Sequence, residues 1–86
     1  MPEISRFLGI VIAMYRPDHG PPHVHVRYAG RQAKLGWSPP RLLAGELPPR
    51  VIGLVMEWAA LHAAELDANW RRAGRHEPLD RIAPLE

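Results

Sequence analysis

Residues 23–37, HVHVRYAGRQAKLGW, decide how this chain folds. The first half alternates strictly: His23, His25 and Arg27 fall on one face, Val24, Val26 and Tyr28 on the other. That pattern predicts a strand buried on one side only. Ala29-Gly30-Arg31 forms a short turn, and Gln32 to Trp37 returns as the second arm of a hairpin. One face of the hairpin must therefore be covered, while the other presents imidazoles and cations.

Before this hairpin stands RPDHGPP, residues 16–22, in which proline removes backbone donors and glycine permits a tight turn. The stretch from Ile4 to Tyr15 is apolar and rich in Ile and Val, which predicts one strand covered on both faces. After the hairpin, Ser38-Pro39-Pro40 interrupts, and Arg41 to Leu47 reads as a fourth short strand ending at Pro48-Pro49.

From Pro49 the period changes. RVIGLVMEWAALHAAELDANWRRAG starts behind a proline and stops at Gly74 after two arginines, which predicts one long helix. At 100° per residue, Val51, Val55, Trp58, His62, Leu66 and Asn69 share a stripe, with Leu54, Ala59 and Trp70 at its edges. Glu57, Ala60, Ala64, Asp67 and Arg71 face the opposite way, toward water. The remaining HEPLDRIAPLE is extended, with Ile82 and Leu85 as anchors. The expected fold is α+β: a small antiparallel sheet of three to four strands packed against one long C-terminal helix, in a single domain spanning 1–86.

Composition narrows the function classes. With 86 residues, 47% of them apolar, and no cysteine, the core holds by packing alone, without disulfides, thiolate metal sites or a cysteine nucleophile. The apolar run from Phe7 to Met14 is too short for a membrane span, and its flanks do not resemble a signal peptide. No membrane partner and a cytoplasmic location are expected. Net charge is +2 and the positive charge is nearly all arginine, whose planar fork suits phosphate.

Two polar residues on the apolar helix stripe need partners, because an unpaired buried polar group costs roughly 1–3 kcal/mol. Asn69 is expected to tie down the C-terminal tail. His62 either bonds a backbone carbonyl or turns toward HVHV to support a site.

His23 and His25, two residues apart on a strand, stand about 7 Å apart along one face. His19 and Asp18 lie on the loop leading in. Three chemistries fit. A His-x-His pair binds zinc or nickel if His19, Asp18 or His62 supplies a third ligand. Alternatively, two imidazoles act as acid and base in RNA cleavage by its own 2′-hydroxyl. Arg16, Arg27, Arg31 and Lys34 then serve as phosphate contacts that stabilise the phosphorane. In the third reading the histidines make local hydrogen bonds or a contact surface. No nucleophile elbow, phosphate-cradling glycine loop or paired carboxylates occur, and the sequence names no metal or other cofactor.

The segments ISRFLGIVIAMYRPDHGPPHVHVRYAG (4–30), GELPPR (45–50), LVMEWAALHAAEL (54–66), NW (69–70) and IAPL (82–85) resemble the bacterial domain-of-unknown-function family DUF4160. DHGPPHVHV and EWAALH carry most of that likeness. The resemblance implies a small protein encoded beside a second small domain, an arrangement similar to a toxin–antitoxin module, and hence an antitoxin-like protein partner. A looser likeness is to mRNA-cutting toxins of the HicA type, which place a histidine on a curved three-stranded sheet. The leading expectation is a toxin-like component that binds or cleaves RNA, with His23 and His25 as the acid–base pair and His19 auxiliary. The competing one is a non-catalytic protein-binding module that presents Arg27, Tyr28 and Trp37.

Overall fold

The computed structural model describes residues 2–16 and 20–85. Five strands form one antiparallel sheet in the order of the chain. They are β1 (Glu3–Phe7), β2 (Ile10–Ala13), β3 (Val24–Tyr28), β4 (Arg31–Trp37) and β5 (Pro40–Gly45). Two helices follow, α1 (Pro49–Leu61) and α2 (Ala63–Gly74). The α+β class and the antiparallel sheet are as expected, but the numbers of strands and helices are not.

The single strand expected over Ile4–Tyr15 is instead a hairpin. Phe7 pairs with Ile10 across a two-residue turn in which both central residues have positive φ, Leu8 at 51° and Gly9 at 78°. Such a turn matches the twist of its flanking strands, and glycine at the second position makes it accessible. The β3–β4 hairpin closes identically, with Ala29 at 49° and Gly30 at 78° between Tyr28 and Arg31. In the first turn an apolar residue takes the position that asparagine or aspartate usually marks. Leu8 is accordingly left 54% exposed.

Cross-strand partners lie on the same face of a sheet. Ser5, Ile12, Val26 and Ala33 form one inward row, and Val24, Leu35 and Leu42 another. The helices cover this side, where Trp58 of α1 is fully buried and packs on Phe7 at 5.9 Å between ring centroids. A bulge between Glu3 and Ser5 lets Ile4 join the same core. β5 ends at Gly45, whose φ is +85° and whose missing Cβ would stand 2.3 Å from the Gln32 carbonyl oxygen.

The expected long helix turns at His62, whose backbone leaves helical geometry at φ −115° and ψ 23°. The hydrogen-bond ladder survives the turn, because His62 N–H donates to Trp58 and the His62 carbonyl accepts from Leu66. The 26 residues from Pro49 to Gly74 would run about 39 Å if straight. The molecule is 33 Å along its longest axis, and α1 is the helix that lies against β4 and β5. The predicted stripe is buried at Val51, Val55, Trp58, Leu66 and Asn69.

The C-terminal tail is a tie. Asn69, fully buried, donates from Nδ2 to the Asp80 carbonyl at 2.9 Å and accepts the Asp80 N–H at 3.0 Å. Ile82 N–H then donates to the Ile4 carbonyl, which covers the β1 edge, and Trp58 Nε1 donates to Ala83. Arg6 and Arg81 both reach the Glu3 carboxylate. The Arg6 hydrogen bond, followed by that of Arg81, holds this carboxyl below its ordinary range.

Two substitutions test this account. Asn69→Ala is expected to lose about 2 kcal/mol in urea unfolding, because it strips both partners from the Asp80 backbone. Gly45→Ala is expected to lose about 3 kcal/mol, from the left-handed backbone and the collision with β4 together.

Candidate functional site

The uncovered face of the sheet is built by the same register. Arg6, Val11, Arg27 and Gln32 form one row, and Glu3, Ala13, His25, Lys34 and Ala44 the next. Arg41, paired with Gly36, begins a third. The five strands contain five permanent cations, Arg6, Arg27, Arg31, Lys34 and Arg41, against one carboxylate, Glu3. Glu3 is itself engaged by Arg6 and Arg81. Arg27, Lys34 and Arg41 are exposed and form no ion pair among the described residues, so this face carries net positive charge.

At one end of the face the aromatic and imidazole rings make a continuous chain. Tyr15 stands edge-on to His25 at 4.6 Å, and His25 to His23 at 5.2 Å. His23 then meets Trp70 of α2 at 5.6 Å, and Trp70 meets Trp37 at 5.9 Å. Trp37 Nε1 donates to Asp67 of α2 at 2.8 Å, which fixes the helix end of the chain. His23 is thereby held between His25 and Trp70. Its Nδ1 lies 3.0 Å from the Pro21 carbonyl. A carbonyl only accepts, so Nδ1 carries the proton, and in the neutral ring Nε2 holds the lone pair.

The predicted site residues separate into groups. His25, Arg27 and Lys34 share the outer face, with Lys34 directly opposite His25, while His23 precedes β3 and packs between His25 and Trp70 of α2. Arg31 does not share that face: its pairing with Tyr28 gives it the inward parity, at the exposed tip of the hairpin. Arg16 lies past the end of β2 and donates to Nε2 of His76 at 3.2 Å, so it belongs to a neighbouring cleft. His62 makes its contacts within the helical run, packing on Trp58 and donating from Nδ1 to Glu65 at 2.6 Å. It therefore takes neither of the two expected roles: its partner is a carboxylate in place of a backbone carbonyl, and it does not turn toward the His23–His25 pair. His19 and Asp18 lie outside the described residues.

Among the described residues no three His, Cys, Asp or Glu side chains converge to hold a metal ion. Trp37, expected as a contact residue, is buried at 3% exposure, and Tyr28 packs against the core.

Sequence reasoning missed Tyr15, Trp70 and His76 as neighbours of the site. Trp70 was visible as an edge of the helix stripe, but its packing on His23 is a contact between α2 and the start of β3 that no local pattern signals. No helix is long and apolar enough to cross a membrane among the described residues.

These features define a class: an α+β domain whose five-stranded meander is covered on one side and carries a cationic, histidine-bearing face on the other. The family model for a domain of unknown function, DUF4160, matches residues 9–71, and the chain belongs to that family. No curated protein and no solved structure matches it.

Because Trp70 backs the His23 ring, Trp70→Ala is expected to free that ring. Proton NMR then reads the change as a collapse of the ring-current shift on the His23 carbon-bound protons, with the sheet resonances retained.

Proposed function

We propose that this protein binds RNA along the uncovered face of its sheet and cleaves it with the His23–His25 pair, as the toxin-like member of a two-gene module. The observation that carries the reading is the charge division within the sheet: Arg6, Arg27, Lys34 and Arg41 share the uncovered face with one engaged carboxylate, and His25 stands among them in contact with His23. Sequence-independent attraction of a phosphate backbone needs little more than such a face.

In this mechanism His23 Nε2 takes the proton from a ribose 2′-hydroxyl. The 2′-oxygen then bonds to the adjacent phosphorus, and the bond from phosphorus to the 5′-oxygen breaks. His25 gives a proton to that leaving oxygen, so the products are a 2′,3′-cyclic phosphate and a 5′-hydroxyl. The 61° angle between the rings directs their nitrogens along different lines, which suits service to two oxygens of one phosphodiester. Arg27 and Lys34 neutralise the charge that develops on the phosphorane. The antitoxin-like partner would neutralise the activity by covering the same face.

Binding of single-stranded RNA should weaken as salt rises. Arg27→Gln/Lys34→Gln should flatten the log–log salt slope by about 1.4, at roughly 0.7 per phosphate contact. Induced expression of the chain should arrest bacterial growth, while His23→Ala/His25→Ala at matched level should not. Purified protein that leaves RNA both intact and unbound at low salt would sink the reading.

A further inference from the structure

A second recess lies beside the histidine pair. Tyr15 and Arg16, where the chain leaves β2, and residues 76–79, where it leaves α2, bound a cleft of about 350 Å³. Small-molecule sites span roughly 300–1,000 Å³, so the cleft has room for one small ligand. Much of its wall is apolar, including Tyr15, Pro78 and Leu79, while Arg16, His76 and Glu77 are its charged or titratable groups.

His76 is held there by an unusual backbone. Glu77 N–H donates to the Arg72 carbonyl and His76 N–H to that of Ala73, the paired bonds that close many helix C-termini. The residue between them must adopt left-handed geometry and is most often glycine. Here it is His76, at φ 59°. A side chain in that conformation crowds its own backbone, a strain that glycine avoids.

The ring so placed receives the Arg16 guanidinium at 3.2 Å. Because a guanidinium only donates, His76 Nε2 is the acceptor. Arg16 forms no ion pair with a carboxylate among the described residues, although Glu77 lines the same cleft. A guanidinium facing an imidazole lone pair exchanges that contact readily for an anion.

We propose that this cleft binds one nucleotide of the RNA, with its phosphate accepting from the Arg16 guanidinium and from the Nδ1–H of His76 and its base against Tyr15, Pro78 and Leu79. The inference rests on the RNA reading above and extends it to a second subsite. Tyr15 joins the two, since it lines the cleft and also stands edge-on to His25 at 4.6 Å. Phosphate recognition by a planar fork and base contact with an aromatic ring are the usual elements of single-strand binding. Glu77 repels a bare anion, so the base supplies part of the affinity and inorganic phosphate alone binds less well.

The test is an NMR titration of the full chain with cytidine 5′-monophosphate, cytidine and inorganic phosphate. The monophosphate should saturate and shift the resonances of Tyr15, Arg16, His76 and Leu79, with cytidine and phosphate each binding more weakly. Arg16→Gln should weaken the monophosphate about tenfold, as expected for loss of a charge-assisted hydrogen bond. His76→Gly should weaken it comparably while the melting temperature holds or rises, because glycine relieves the left-handed backbone. That combination separates a ligand-binding role for the ring from a structural one.

Absence of shifts in the cleft, or parental affinity in folded His76→Gly and Arg16→Gln, would overturn the inference. The RNA reading stands or falls separately. RNA bound through Arg27 and Lys34 with no monophosphate in the cleft removes the cleft alone. Monophosphate bound in the cleft of a protein that neither binds nor cuts RNA keeps the nucleotide site and removes the RNA reading.

Discussion

The turn at His62 is the constraint on which the rest of the molecule depends. A straight helix of 26 residues is about 39 Å long and would overrun a molecule 33 Å in its longest dimension. Bending it lets α1 bury Val51, Val55 and Trp58 while α2 continues with Leu66 and Asn69 on the buried side. Beyond the turn, Trp70 of α2 meets His23, and Asp67 accepts from Trp37. Asn69 of the same helix captures the backbone of Asp80, and the tail returns across β1. Core, tail and histidine pair thus meet on α2.

Much of this was legible in the sequence. The period-two alternation of HVHVRY placed His25 and Arg27 on the outer side of the sheet, and the helical stripe named nearly every buried residue of α1 and α2. Asn69 tying the tail was readable too, because a buried amide needs a donor and an acceptor together, and an extended segment supplies both. The first hairpin was not legible. FLGIV reads as an unbroken apolar run, since only Gly9 signals the turn and Leu8 hides it. The break at His62 was equally hidden, because neither proline nor glycine marks it and the hydrogen-bond ladder continues through it. Distance along the chain also misassigned cations. Arg31 is near His25 in sequence but takes the opposite face, whereas Lys34, three residues further, pairs directly with it.

The two faces of the sheet follow from a single asymmetry in how its residues meet water. Inward positions hold Ile12, Val24, Val26 and Leu35, all with no exposed surface. Outward positions hold arginine, lysine, glutamine and alanine in place of an alternating set of both charges. An ordinary solvated face intersperses carboxylates, which lowers the local potential and keeps other polyanions indifferent. Here the only strand carboxylate is taken by Arg6 and Arg81, and the acidic side chains Glu57, Glu65 and Asp67 belong to the helices on the other side. The charge balance of the whole chain, only +2, therefore understates the polarity of this surface.

The described histidines show how partner chemistry divides the work among identical side chains. Pro21 offers His23 a carbonyl and Glu65 offers His62 a carboxylate; both only accept, so each ring carries a proton on Nδ1. Arg16 offers His76 a donor, so that ring must present the lone pair of Nε2. His62 is thereby committed to its helix, and its bond to Glu65 spans a single turn. His23 is oriented by backbone and backed by Trp70, with its second nitrogen holding the lone pair. His76 is held against a guanidinium by a residue 60 positions away in sequence, in a backbone conformation that another residue type adopts at lower cost. A ring maintained in that setting is explained more readily by what it receives than by what it stabilises, because glycine in its place would close the helix at least as well.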